Sequence, residues 1–304
     1  MPIVTVVGST NTDLVIKIPR LPKTGETVKG TDFQIFPGGK GANQAVAASR
    51  LGAEVNFITK IGQDHFGNNA LENFQREGIK TDYIIIDDKY PSGVALIEVD
   101  DDGQNRIVIS PGANGNLKAD DITPIKHVIE NSDVVLVQLE IPIETVGYVI
   151  EVGTASGSIV ILNPAPAEKI PAHFFQNIAI ITPNETEAAL LTDLKPTLYG
   201  AICDSLRAKG VPNSIITLGD NGVYFRTDTD RGEVPAFNVK PVDTTAAGDA
   251  FNAGLAVAIA EGYSTREAIQ FANAAGALSV IRMGAQPSMP KRHDVETFLN
   301  DQHH

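Results

Sequence analysis

Small residues lead into a carboxylate in the stretch Pro241-Val242-Asp243-Thr244-Thr245-Ala246-Ala247-Gly248-Asp249-Ala250-Phe251-Asn252-Ala253-Gly254, and an apolar run of good helix formers follows over 253–260. The first backbone N–H groups of a helix have no intrahelical partner and lie at the positive end of its dipole, so a helix starting here offers donors to an anion. Ala246, Ala247 and Gly248 have no bulk to hold a ligand away from those donors. Asp249 beside them can accept a proton from whatever attacks the anion, and the chemistry this suggests is phosphoryl transfer. The competing reading is that Asp249 is an ordinary helix cap, because Asp is among the preferred N-cap residues.

A second candidate is the glycine-rich run Gly38-Gly39-Lys40-Gly41-Ala42-Asn43, which opens a helix. It is neither a G-x-x-x-x-G-K-[ST] phosphate loop nor a G-x-G-x-x-G dinucleotide fingerprint, since Gln44 occupies the last glycine's place. Its glycines let backbone approach a small ligand, and Lys40 and Asn43 supply donors. Polar residues also fall at the ends of expected strands: Asn11 and Asp13, Glu140, Asn163, Asn184 and Glu187, and the turn from Gly219 to Gly222. Ligands of open parallel sheets bind outside those ends. Singly, each of these residues also reads as a turn, cap or solvated strand end.

The elements that must hold these groups follow from hydrophobic period. Residues 4–7 form a continuous apolar run ending at Gly8-Ser9, as in a strand buried on both faces. Two extended, helix-poor units follow, at about 14–36 and 93–110, the second containing the Asp-Gly hairpin signal Asp100-Asp101-Asp102-Gly103. They predict a small β-sheet separate from an α/β body. Helices are expected over 42–51 and 65–77, with a strand over 55–61. Beyond residue 120 the order becomes regular: helices over 121–131, 143–154 and 197–209 and one ending at 191, strands over 133–139, 158–162, 179–181 and 214–218. Such alternation predicts a doubly wound, mostly parallel sheet with helices on both faces. A hairpin over 223–226 and 234–239, a helix after Asp249 and another launched by the capping box Ser264-Thr265-Arg266-Glu267 complete the body. The expected organisation is one domain over 1–304 with the small sheet inserted in it.

A chain of 304 residues, 42% hydrophobic and 20% charged, has the composition of a globular protein with a large core. Its net charge of -13 argues against nucleic-acid and anionic-membrane partners. Cys203 is the only cysteine, so no intrachain disulfide forms and a reducing, cytoplasmic setting is expected. Residues 1–8 read as a strand, with no secretion signal expected. No apolar run approaches the ~20 residues of a spanning helix.

Taken together, the two glycine-rich stretches resemble the signatures of the ribokinase (pfkB-type) carbohydrate kinase family: Gly38 to Ala45 with Leu51-Gly52-Ala53 and Ile61-Gly62-Gln63-Asp64 at the N-terminal side, and Asp243 to Gly254 at the C-terminal side. Gly8-Ser9, Gly25-Glu26-Thr27, Leu162-Asn163-Pro164, Thr182-Pro183-Asn184-Glu185-Thr186-Glu187, Thr217-Leu218-Gly219 and Gly284-Ala285-Gln286-Pro287-Ser288 match in the same order. The resemblance implies an α/β body with a β-sheet lid that clasps a second subunit, and ATP-dependent phosphorylation of the 5-hydroxyl of D-ribose. It implies Asp249 as catalytic base and the amides of Ala246, Ala247 and Gly248 as anion hole. Asn11, Asp13, Gly39, Lys40, Asn43 and Glu140 fall where the family holds the sugar; Asn184, Thr217, Gly219, Gly222, Gly248 and Asn273 fall on the nucleotide side. Glu187 matches the position that organises magnesium, and Asp243, Thr245, Ser279, Arg282, Gly284 and Ser288 match the site of an activating monovalent cation, usually potassium.

Three other readings compete: a kinase for fructose, 2-keto-3-deoxygluconate or a nucleoside; a dinucleotide-binding oxidoreductase, which lacks its fingerprint here; and a catalytically silent sugar-binding regulator, against which Asp249 argues.

Overall fold

The computed structural model describes residues 1–102 and 104–302. Gly103 of the Asp-Gly turn and the His303-His304 pair lie outside the described residues.

The chain opens with β1 (Ile3–Val7), β2 (Asn11–Lys17) and β3 (Asp32–Gly38), then α1 (Lys40–Arg50), β4 (Glu54–Gly62), α2 (His65–Arg76) and β5 (Ile84–Asp87). The hairpin β6 (Gly93–Val99) and β7 (Asn105–Ser110) follows, then two short helices α3 (Ala119–Ile122) and α4 (His127–Glu130). The alternating part comprises β8 (Val134–Val137), α5 (Ile143–Ser156), β9 (Ile159–Leu162), β10 (Ile180–Ile181), α6 (Glu185–Thr192), α7 (Tyr199–Ala208) and β11 (Asn213–Thr217). A hairpin of β12 (Val223–Arg226) and β13 (Arg231–Val234) precedes the last helices α8 (Ala247–Ala260), α9 (Thr265–Ser279) and α10 (Arg292–Asp301).

Nine strands form the main sheet in the order β13-β12-β11-β10-β9-β8-β1-β4-β5, parallel except for the antiparallel edge of β12 and β13. Successive strand residues face opposite sides, and both sides are covered. Val4, Val6, Val134 and Leu136 belong to one core with residues of α1, α8 and α9, while Val7, Val135 and Val137 belong to a second with residues of α5, α6 and α7. That explains the unbroken apolar run of β1, which lies inside the sheet between β4 and β8. The order reverses at β1, so a crevice opens between the carboxyl ends of β1 and β8, where Ser9 and Glu140 stand.

The four-stranded second sheet has the order β3-β2-β6-β7, with β2 antiparallel to β3 and parallel to β6. The register puts Leu14, Ile35, Leu96 and Val108 on one face and Asp13, Phe36 and Ala95 on the other. The first face is open: Ile35, Leu96 and Val108 are 55%, 53% and 66% exposed.

Some expectations need correction. The helix expected over 121–131 is split into α3, a 3-10 turn at Thr123–Ile125 and α4. Pro124 lacks the N–H that would continue the ladder. The second strand of the late hairpin lies at Arg231–Val234 rather than 234–239. Thr227 and Asp230 close a tight turn, Thr227 N donating to Asp230 O at 2.7 Å, and Pro235 ends the ladder. β5 and α10 were not expected. Cys203 is buried in the core, which pushes its thiol up to about 11 and fits it for packing rather than reaction. No helix of the described residues is long and apolar enough to cross a membrane.

Candidate active site

Helices α1 and α8 begin beside each other at the crevice. Gly39 caps α1 at φ 91°, and a Cβ there would lie 2.6 Å from the Asn11 amide, so only glycine fits. A Cβ at Gly41 would meet Gly8 and Ser9 backbone at 2.6 Å, which shows how closely α1 sits on the end of β1. A Cβ at Gly38 would lie 2.2 Å from the Asp13 carboxylate. The glycine run therefore brings backbone against the polar groups that follow β1.

α8 starts one residue beyond Ala246, which takes the left-handed conformation at φ 60°. Asp249 is the third residue of this helix, not its cap, so the capping reading is set aside. Its Oδ2 accepts from Asn43 Nδ2 at 2.9 Å and its Oδ1 from Gln44 Nε2 at 2.9 Å. Burial raises the Asp249 pKa; the Lys40 ammonium and the two amide donors oppose it. Of the three amides expected to bind an anion, Ala247 donates to Thr244 O at 3.3 Å, and no bond occupies those of Ala246 and Gly248 among the described residues. A Cβ on Gly248 would meet nothing within 4 Å, so this helix start opens onto free space.

Behind Asp249 lies a polar cluster. Glu140 Oε2 accepts from Ser9 Oγ at 2.5 Å and from the Lys40 amide at 3.1 Å. Asn114 Nδ2 donates to Asn11 Oδ1 at 2.8 Å, and Asn43 Oδ1 is buried with no partner among the described residues. Burial first, then the charges of Glu140 and Asp249, push the Asp13 carboxyl up to about 7, against the pull of Lys40. Burial alone would lower the Lys40 pKa, but Asp249, Glu140, Glu187 and Asp13 together raise it. Lys40 is a fixed positive charge among four carboxylates.

In front of Asp249 lies a cleft of about 890 Å³. Asn184, Thr217, Gly219, Gly222, Gly248 and Asn273 all line it, as do Lys40 and Asp249, while Asn11, Asp13, Gly39, Asn43 and Glu140 do not. The two expected sets are thus separated in space and meet at Lys40 and Asp249. Asn184 is also the N-cap of α6: its Oδ1 accepts from Glu187 N at 2.8 Å, and Glu187 Oε2 accepts from Asn184 N at 2.8 Å. Asn273 Nδ2 donates to Pro235 O at 3.1 Å, fixing the loop whose Ala236 and Phe237 form one cleft wall. Sequence reasoning missed that wall by assigning it to a strand. It also left Gln44 without a role, although Gln44 stands inside the glycine-rich signature.

Among the described residues no group of three or more His, Cys, Asp or Glu could hold a metal ion. Glu187 nonetheless fits a divalent ion carried mainly by a nucleotide's phosphates and water. It lines the cleft, and burial raises its pKa against the Asn184 amide and Lys40. Asp243 ties together the segments expected to hold a monovalent cation, accepting from Thr245 N and Gly284 N, both at 2.9 Å. Ser279 and Ser288 turn their hydroxyl protons onto the carbonyls of Gly276 and Ala285, leaving oxygen lone pairs free. The Arg282 guanidinium points away, 3.9 Å from Asp294, so only the backbone of Arg282 could serve such a site.

The family model described as pfkB family carbohydrate kinase matches residues 1–292. Ribokinase of Bacillus subtilis is 45% identical over 97% of this chain and 98% of its own length. Among solved structures, ribokinase from Thermotoga maritima superposes with a TM-score of 0.90 at 41% identity, covering 99% of this chain and 100% of that one. Arabidopsis thaliana ribokinase complexed with ribose and ATP does so with a TM-score of 0.90 at 34% identity, covering 98% of both chains.

Proposed function

This chain belongs to the pfkB family of carbohydrate kinases, and from that premise we propose that it transfers the γ-phosphoryl group of ATP to the 5-hydroxyl of D-ribose, giving D-ribose 5-phosphate and ADP. The observation that carries the reading is the meeting of the large cleft and the polar cluster at Asp249. ATP occupies the cleft between α6 and α9; the sugar occupies the cluster, its hydroxyls donating to Asp13 and to the unpartnered Asn43 Oδ1.

Phosphoryl transfer passes through a loose transition state, so positioning and charge stabilisation carry most of the rate. The amides of Ala246 and Gly248 face the transferring group, and Lys40 adds positive charge at the same junction. Asp249 takes the hydroxyl proton late; burial makes it a stronger base than a surface aspartate. The small sheet, with Asp13 on its inner face, covers the sugar and excludes water. Magnesium, when bound with the nucleotide, neutralises phosphate charge, and Glu187 would help hold it. Potassium would be held by Asp243, Thr245, Ser279, Arg282, Gly284 and Ser288, mainly through carbonyl oxygens.

The open apolar face of the small sheet is the surface through which we expect two copies to pair. We expect a cytoplasmic location, in keeping with the single cysteine, Cys203. The test is ADP release with D-ribose, 2-deoxy-D-ribose, D-fructose, 2-keto-3-deoxygluconate and adenosine, each with and without potassium. Ribose should give the highest kcat/KM, and a higher value for any other acceptor overturns the substrate.

A further inference from the structure

A chain of buried amide and hydroxyl groups runs beside the first turn of α8, its Asn163, Thr182 and Asn252 lining the cleft wall. Gln44 Nε2 donates to Asp249 Oδ1 at 2.9 Å and to Asn163 Oδ1 at 3.1 Å. Asn163 Nδ2 donates to Thr182 O at 3.3 Å, and Thr182 Oγ1 donates to Asn252 Oδ1 at 2.6 Å. Asn252 Nδ2 then donates to Gly248 O at 2.8 Å. The chain leaves α8 at the Asp249 side chain and returns to it at the carbonyl of the preceding residue. On the other side, Gln138 Nε2 donates to Gln44 Oε1 at 2.5 Å. All six side chains are at most 6% exposed.

The directions are set chemically. An ionised carboxylate only accepts, so Gln44 must present its nitrogen to Asp249 and its oxygen to Gln138. Buried amides without partners are costly, so one broken link forces others to move. Gln44 carries no part of the substrate contacts described above, yet both its N–H groups and its oxygen are engaged.

We propose that Gln44 is a positioning residue for the Asp249 carboxylate, holding Oδ1 so that Oδ2 faces the sugar hydroxyl, with Asn163, Thr182 and Asn252 keeping that carboxylate in register with the start of α8. The inference rests on the reading of Asp249 as the base. Gln138 extends the support one step further from the site.

The experiment uses full-length Gln44→Glu, which keeps the shape but sets a carboxylate against Asp249 Oδ1. The charged groups that already face Asp249 are Lys40, Glu140, Asp13 and Glu187, and all remain in the variant. Two adjacent carboxylates share a proton, so the acid limb of kcat should move up by about one pH unit or more. At neutral pH kcat should fall about 10²-fold, while the ribose Kd measured by calorimetry stays within about threefold. Thr182→Val cuts the chain away from the base and covers the case in which Gln44→Glu does not fold; because Thr182 also lines the cleft, it is assayed at saturating ATP. It should lower kcat about fivefold to tenfold with ribose Kd unchanged. An unshifted pH profile, or kcat and Kd worsening together, overturns the positioning role, as does wild-type kcat in Thr182→Val. Asp249→Asn is assayed alongside: if it turns over normally, the reading beneath fails; if it is inactive while Gln44→Glu keeps wild-type kcat, only the inference about Gln44 fails.

Discussion

Asn43 Nδ2 on α1 reaches Asp249 Oδ2 on α8 across 2.9 Å, joining residues 206 positions apart. Fully buried Ala42, Ala45, Ala250 and Ala253 let the two helices pack closely enough for that bond. The same pairing leaves Asn43 Oδ1 buried with no partner among the described residues. A base buried enough to be strengthened, yet held by amide donors that favour its charged form, can be ionised before the sugar arrives.

Asp13 makes the stability of the ligand-free protein depend on pH. Burial, Glu140 and Asp249 raise its pKa from 3.8 to about 7, so the folded chain binds this proton more tightly than the unfolded chain. The contribution is therefore fully present below 3.8 and is lost as pH rises to about 7. Asp13→Asn should melt at a higher temperature than wild type at pH 8, with the difference shrinking towards pH 4. An equal difference at both pH values, read by thermal unfolding without ligand, contradicts this.

The open face of the small sheet should hold a second copy. Leu96→Asp with Val108→Asp places two charges on that face, where both residues are more than half exposed. Sedimentation equilibrium should show a wild-type dimer and a monomeric double variant. A wild-type monomer at micromolar concentration contradicts the pairing.

Asp243→Ala should remove the response to potassium, because the carboxylate ties Thr245 to Gly284. Potassium should raise the melting temperature of wild type, since a ligand that binds only the folded state stabilises it. It should have little effect on the variant. Equal shifts in both proteins contradict the assignment.

Much of this arrangement is legible in local sequence because its causes are local. The apolar run of β1, the βα alternation after residue 132 and the Asp-Gly hairpin each follow from period and turn chemistry. Gly39 and Gly41 mark close backbone approach before any partner is known. The rest depends on partners distant in the chain. Gln44 looks like one more polar residue on a helix until Asp249, 205 positions later, is brought to it. From its local stretch alone Asp249 fits a cap as readily as a base, because the left-handed turn at Ala246, which starts the helix early, has no glycine to announce it. Pro124 did carry a local signal, and the break between α3 and α4 was readable there.

The most direct measurement is the steady-state turnover of Asp249→Asn with ATP and saturating D-ribose, alongside its ribose affinity. The account predicts kcat lower by about 10²–10⁴-fold with the ribose Kd within about threefold of wild type. Near-wild-type kcat in a folded variant would contradict it.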